Sequence, residues 1–314
     1  MASEFDLIAR YFTRPARTAI LGVGDDAALL RPGPGRDLAI SADMLVAGRH
    51  FFPETDPEGL GHKALAVNLS DLAAMGATPR WALLSLALPG PDEAWLAAFA
   101  RGFHALADQQ GVELVGGDTT GGPLNISVTI LGEISAGQAL RRDGARVGDD
   151  LWVSGELGGA ALALRQARGE LSLPEPVLRD CRDRLDRPMP RVALGLALRG
   201  IAHAAIDVSD GLLADVGHVL ARSGVAAEIW ADRVPVAWPG ETRALSCALT
   251  GGDDYELCFT AAPEQAEAVR RAGHEAGIAV TPIGRIVAGT GLVCRGAEGE
   301  MIEIEGRGFD HFAA

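Results

Sequence analysis

The chain has 314 residues, 48% of them hydrophobic, which is enough to bury substantial cores and to form two domains. Its formal net charge of −14 excludes the clustered Lys and Arg needed to grip nucleic acid or an anionic lipid surface. No apolar stretch approaches the roughly 20 residues that cross a bilayer, and the start, MASEFDLIARYF, lacks the basic-then-apolar order of a signal peptide.

The first half alternates strand and helix patterns. Leu38 to Val46 reads as a strand, Pro57 to Met75 as a helix, Trp81 to Leu88 as a strand and Asp92 to Gln110 as a helix. A short strand into Val115 precedes a glycine-rich turn. Leu124 to Glu133 then alternates Leu124, Ile126, Val128 and Ile130 as a half-buried strand does. The polar, Gly-punctuated segment RRDGARVGDD, Arg141 to Asp150, is the expected boundary, giving domains over 1–140 and 141–314. The second α/β part is expected to run through strand LWVS, helix Leu157 to Arg168, a Pro-rich connection near Pro188 and Pro190, and strand Ala204 to Val208. Helix Leu212 to Arg222 and strands Tyr255 to Thr260 and Ile278 to Ile286 follow, the last two flanking a helix from Pro263 to Gly273.

Cys181, Cys247, Cys258 and Cys294 form no C-x-x-C pair and have no His at zinc spacing, so they are expected as small buried apolar residues in a reducing cytoplasm. His50, His62, His104, His203, His218, His274 and His311 form no ligand pattern either. Lys63 is the only lysine.

Acids recur at turns beside glycine: GVGDD at 22–26, SAD at 41–43, GGD at 116–118, DVSDG at 207–211 and GGDD at 251–254. Each alone is equally an ordinary turn or cap, and Asp210, just ahead of Gly211 and a helix, fits a cap well. Asp71 does not fit that reading. Leu60, Ala64, Val67, Asp71 and Met75 recur at helical spacing, so Asp71 interrupts an apolar stripe and needs a cation or hydrogen-bond donors. The alternative is a local polar network with Asn68, one turn earlier.

In DVSDG, strand alternation points Asp207 and Ser209 the same way, with Asp210 at the turn into the helix. Three oxygen-bearing side chains thus gather at a strand's C-terminal end, where α/β proteins bind ligands. Carboxylates brought to ~4 Å of one another repel by about 4 kcal/mol at an effective dielectric near 20. Hard divalent cations relieve this, and an oxygen-only donor set suits Mg²⁺. Phosphate chemistry is therefore implied, yet no G-x-x-x-x-G-K-[ST] exists and Lys63 lies mid-helix. Metal ions and Arg must supply the positive charge, with Gly116-Gly117 and Gly251-Gly252 as sites of close backbone approach. No G-x-S-x-G elbow supports a Ser-His-Asp hydrolase.

Taken in order, EFDLIARYF, GVGDDAALL, AISADMLVAGRHF, HKALAVNLSDLAAMGA, GGDTTGGPL, AIDVSDGLLADVGH, GGDDYELCF and GFDHF resemble the thiamine-monophosphate kinase family over essentially the whole chain. The resemblance implies an α/β (α+β), two-domain fold like that of aminoimidazole-ribonucleotide synthetase. Its N-terminal α/β domain pairs into a homodimer, and ATP and several Mg²⁺ ions sit in the cleft that the C-terminal domain completes. It implies metal ligands at Asp26, Ser41, Asp43, Asp71, Asp118, Asp207 and Asp210, of which Asp71, Asp118 and Asp210 are assigned to catalysis. It further implies nucleotide contacts at Gly117, Asp118, Arg142 and Ser209, and thiamine monophosphate contacts at His50, Asp253 and Phe309. Phe309 is otherwise readable as a C-terminal core anchor.

Where the family pattern has S-T-D and G-G-E-D-Y-E, this chain has Ala42 and Asp253. The implied reaction is direct in-line transfer from ATP to an already anionic phosphate oxygen. The rival readings are a selenophosphate or aminoimidazole-ribonucleotide type synthetase, and a non-catalytic nucleotide sensor. A selenophosphate enzyme is expected to show a reactive Cys and a Lys near the first glycine segment; before Cys181 this chain has neither except Lys63, in its helix.

Overall fold

The computed structural model describes residues 3–302; Phe309 and the GFDHF tail lie outside them. The chain divides into two compact units, one comprising Ala77–Gly137 with the chain before Ala73, the other Ala73–Gly76 with the chain from Gln138.

The first unit opens with α1 (Glu4–Leu7), capped by Ser3 and Asp6, and a π-helical turn over Ile8–Phe12. β1 (Arg36–Val46), α2 (Pro57–Ala74), β2 (Thr78–Leu88), α3 (Glu93–Gln110), β3 (Glu113–Gly121) and β4 (Asn125–Ser135) follow. The sheet order is β1-β4-β2-β3, with β2 and β3 parallel around α3 and the other pairs antiparallel.

Local signals set α3. The Asp92 carboxylate accepts the N–H groups of Ala94 and Trp95, both at 3.0 Å, and Gly111 ends the helix at φ 70. Leu96, Phe99, Ala100, Phe103, Leu106 and Ala107 form its buried face. α2 is buried on nearly all sides from Gly59 to Ala74, so the apolar stripe read from its sequence is only part of an apolar circumference.

The two helices touch at glycine. A Cβ on Gly61 would lie 2.0 Å from the carbonyl oxygen of Phe99, and one on Gly102 would lie 1.8 Å from that of Glu58. Gly102→Ala is expected to destabilise the protein by at least ~1–3 kcal/mol, the usual cost of overpacking, because rigid backbone stands in the way. Urea unfolding measures this. A midpoint equal to wild type would mean that the helices separate freely.

The second unit contains β5 (Asp150–Ser154), α4 (Gly159–Ala167), α5 (Glu175–Asp186), α6 (Val192–Ala197), β6 (Ala204–Val208) and α7 (Leu212–Ser223). It continues with β7 (Ala226–Trp230), α8 (Ala244–Thr250), β8 (Glu256–Ala261), α9 (Ala266–Ala276), β9 (Val280–Val287) and β10 (Gly291–Arg295). Its sheet runs β10-β7-β9-β5-β8-β6, antiparallel except for β10 beside β7. Leu151, Val153, Ile206, Val208, Leu212 and Val216 are central to one core, and a smaller one joins Leu162, Leu173, Cys181 and Cys247.

The structure differs from the sequence reading in particular places. α5, α6, α8, β7 and β10 were not anticipated. α5 sets Val177, Leu178, Cys181 and Leu185 at helical spacing against the smaller core, but its other positions are mostly charged, and the remaining elements are five to seven residues long. The glycine pair expected as a turn lies inside β3. There Gly117, at φ 144, lets the strand approach β2 so closely that a Cβ would stand 1.8 Å from Leu84 O.

Candidate active site

In the first unit β1 carries Ser41 and Asp43 on the half-buried face of the sheet, in register with the buried Ile130 and Val128 of β4. α2 meets them with two polar side chains. The Ser41 hydroxyl donates to Asp71 Oδ2, and Asn68 Oδ1 accepts the N–H of Asp43 at 3.0 Å while its own amide donates to Ala64 O at 3.0 Å. Asn68 is buried, whereas Asp71 is half-buried, a polar opening in the otherwise buried stretch from Lys63 to Ala74. The local network and the ligand reading of Asp71 thus share one place. The network fixes the helix to β1.

Beyond β1 the chain turns back at Ala47 to Phe51, and His50 Nδ1 accepts the N–H of Val46 at 2.9 Å. A neutral His50 therefore carries its proton on Nε2. Asp26 is exposed in the turn after Gly24, φ 125, and Asp118 is exposed on β3, paired in register with Ser85.

In the second unit β6 delivers DVSDG at the sheet's edge. Asp207 is buried on the strand, and Ser209 and Asp210 follow it. The N-cap of α7 is Gly211, with no side-chain cap bond, so Asp210 does not have the capping role that its position suggested. Asp215, which sequence reasoning missed, shapes the loop instead. Its Oδ2 accepts the N–H groups of Ser209, Asp210 and Gly211, each at 3.1 Å. Burial pushes its carboxyl up to about 7, against those three donors and with the Asp210 charge adding to the rise.

GGDDY packs onto the same loop. Asp253 N–H donates to Ser209 O and Tyr255 N–H to Val208 O, both at 2.8 Å. A Cβ on Gly252 would stand 2.4 Å from Ser209 O. Asp253 and Tyr255 hold left-handed backbone, φ 68 and φ 51, and the Tyr255 hydroxyl donates to Asp253 Oδ1 at 2.9 Å. Such conformations cost on the order of 1–3 kcal/mol in a bulky residue and persist where surrounding bonds enforce them.

The two adjacent acids separate in role. Asp254 accepts the Gly158 N–H with both oxygens, at 2.9 and 2.8 Å, and its carboxyl is pushed well up by burial and by the charges of Glu256 and Asp253. Glu256, also missed, is buried and accepts from Ser154 and from both Nε and Nη2 of Arg191. Arg142 is exposed in the connection before β5, its carbonyl accepting from Ser223 at 2.8 Å.

The structure therefore brings together Ser41 with Asp71, and Ser209 with Asp253. Among the described residues no three His, Cys, Asp or Glu side chains gather closely enough to hold a cation by themselves. A recess of about 420 Å³ beside Arg14, Arg17, His104, Asp108 and Glu113 contains none of the expected site residues. Its two arginines lie against Asp108 and Glu113.

Residues 24–134 match the AIR synthase related protein N-terminal domain family, and residues 146–296 match the corresponding C-terminal domain family. The thiamine-monophosphate kinase of Salmonella typhimurium is 44% identical over 321 residues, covering 99% of this chain and 98% of that one. The Escherichia coli K12 enzyme of the same name is 43% identical over 319 residues, with the same coverage. Among solved structures, thiamine-monophosphate kinase from Stenotrophomonas maltophilia superposes with a TM-score of 0.85 at 52% identity, covering 91% of this chain and 92% of that one. AaThiL complexed with AMPPCP and TMP superposes at 0.78 and 32% identity, with 90% and 89% covered.

Proposed function

Because this chain belongs to the thiamine-monophosphate kinase family, we propose that it transfers the γ-phosphoryl group of ATP to thiamine monophosphate, giving thiamine diphosphate. Its 44% identity to a kinase of that name, over nearly the full length of both chains, carries the reading. The enzyme is an ATP-dependent phosphotransferase. Asp26, Ser41, Asp43, Asp71, Asp118, Asp207 and Asp210 would hold Mg²⁺, and the donors suit it, being hard oxygens throughout while all four cysteines are buried. Mg²⁺ commonly takes one or two carboxylates and fills its remaining positions with water and substrate phosphate, so a site need not gather three protein ligands beforehand. When bound, the ion offsets phosphate charge.

This chain's own residues do the rest. Gly117, Asp118, Arg142 and Ser209 contact the nucleotide. His50, with its Nε2 proton, and Asp253, fixed by Tyr255, orient the acceptor, together with Phe309. The attacking acceptor oxygen is already anionic, so transfer is direct and in line and needs no strong general base. A coupled assay of ADP release compares thiamine monophosphate, thiamine and aminoimidazole precursors. Turnover only on the precursors would overturn the assignment, and nucleotide binding without turnover would favour a sensor.

A homodimer and a cytoplasmic location belong to the same proposal. β1 is an edge strand whose outer face displays Leu38, Ile40 and Met44, 39%, 62% and 55% exposed. The buried free cysteines suit a reducing compartment, and among the described residues no helix is long and apolar enough to cross a membrane. Ile40→Lys is expected to weaken self-association at least ~tenfold, read by sedimentation, because it buries a charge in an apolar interface. An unchanged dimer constant would remove this face from the contact.

A further inference from the structure

We infer that Glu113 is a positioning residue for Asp26, its buried carboxylate fixing the arm of chain that leads to the Gly22–Asp26 turn. The inference rests on the kinase reading only through the role given there to Asp26.

The segment between the π-helical turn and β1 has almost no regular structure. Ile20 and Leu21 donate their N–H groups to Leu29 O at 2.8 and 3.2 Å, and Leu29 N–H donates to Leu21 O at 3.0 Å. Gly22 to Asp26 thus sit at the tip of a narrow hairpin closed by the Leu21 and Leu29 pair. Neither arm of the hairpin joins the sheet.

Glu113, 7% exposed at the start of β3, supplies the anchorage that a strand would otherwise give. It accepts the backbone N–H groups of Arg17, of Thr18 (2.9 Å) and of Ala19 (2.9 Å), and the Thr18 hydroxyl at 2.7 Å. Thr18 Oγ1 in turn accepts the indole N–H of the buried Trp81 on β2 at 3.0 Å. The outgoing arm is tied likewise, Gly33 N–H donating at 2.7 Å to Glu133 on β4, which Arg80 also contacts at 3.0 Å. Three consecutive N–H groups on one carboxylate form an anion-type nest in which the anion belongs to the protein. Burial raises the Glu113 carboxyl, but the Thr18 hydroxyl and the backbone donors outweigh it and bring the carboxyl below its ordinary value.

β3 continues from Glu113 directly into Gly117 and Asp118. One carboxylate therefore fixes the hairpin carrying Asp26 to the strand carrying a second acid assigned to Mg²⁺. A ligand on an unpaired hairpin is positioned only as well as the hairpin's base is held.

Full-length Glu113→Gln and Thr18→Val test this. Gln keeps the shape but sets an amide NH₂ against backbone donors, and Val removes only the hydroxyl. Tryptic cleavage between Arg17 and Thr18 reads local opening of the arm. The Mg²⁺ concentration giving half of the thermal stabilisation by a β,γ-methylene ATP analogue reads the metal site without turnover.

For Glu113→Gln we expect cleavage about tenfold faster and a Mg²⁺ half-point about tenfold higher, as loss of charge-assisted hydrogen bonds implies. The KM for thiamine monophosphate should stay within about twofold of wild type. Thr18→Val should show about threefold changes in the same direction, and it decides the matter if the Gln variant does not fold. Faster cleavage with a wild-type Mg²⁺ half-point would overturn the inference, leaving Glu113 a packing residue, and unchanged cleavage would overturn it as well. A wild-type enzyme inactive on thiamine monophosphate would instead count against the kinase reading, with the cleavage and Mg²⁺ arms still deciding the role of Glu113.

Discussion

Replacing Asp71 by Asn is expected to lower kcat by about two orders of magnitude and to raise the Mg²⁺ concentration needed for half-activity, while the thermal transition stays within a few degrees of wild type. The substitution preserves shape. An Asn oxygen still accepts from the Ser41 hydroxyl, so the tie between α2 and β1 survives, and Asn68 continues to hold the N–H of Asp43. What disappears is a charge at a half-buried acid within the enclosed stretch of the helix. Electrostatic groups aimed at a transferring phosphoryl are typically worth ~10²–10³ in rate when one is removed. Ser41→Ala is the companion variant, since it breaks the same hydrogen bond and keeps the charge. If Asp71 only pins the helix, both variants should spare kcat, and only Ser41→Ala, which breaks the tie, should lose stability. Steady-state kinetics across a Mg²⁺ series, with unfolding curves for both proteins, separate the two roles.

The largest effect on stability is expected from Arg191→Ala, a loss of about 3–5 kcal/mol in urea unfolding. Glu256 lies in β8 with its side chain 3% exposed, and Arg191, immediately before α6, covers it with Nε at 2.7 Å and with Nη2. Ser154 on β5 is the remaining side-chain donor, and it also accepts the N–H of Leu257 at 2.8 Å. Removing the guanidinium strands a carboxylate that one hydroxyl cannot compensate. The double variant Arg191→Met with Glu256→Gln should recover most of the loss, because neither partner is then a buried unpaired charge. A single Arg191→Ala variant with the wild-type midpoint would mean that water reaches Glu256 freely.

Much of this frame is legible in the residues themselves. Asp92 ahead of an apolar helical period gives α3, and alternation gives β4, because both signals are local. Asp71 stands out because a charge inside an apolar helix has few explanations. Glu113, Asp215 and Glu256 do not stand out, and the reason is physical. Glu113 serves backbone N–H groups about 95 residues away, and those groups carry no side-chain identity to read. Glu256 meets Arg191 at a separation of 65 residues. Asp215 is closer to its partners, but an acid early in a helix is so common that only the three convergent N–H bonds reveal its task. The Gly117 signal was present and misassigned, since φ 144 serves close approach within a strand as readily as it serves a turn.

The strand order also bears on how the chain emerges from a ribosome. The four strands of the first sheet are complete once Ser135 has been made: β2 and β3 can pair across their crossover before then, and β1 and the other edge of β2 wait only for β4. In the second sheet β5, ending at Ser154, waits for both neighbours: β8 begins at Glu256 and β9 finishes at Val287. Pairings between segments so far apart form slowly, because the long intervening loop must close before any contact rewards it. During that interval β5 and β6 have both edges open and apolar faces uncovered, the condition in which nascent chains recruit chaperones or aggregate. Slower elongation after Val208 therefore prolongs the vulnerable state of the second unit, whereas the first unit is by then indifferent to translation speed.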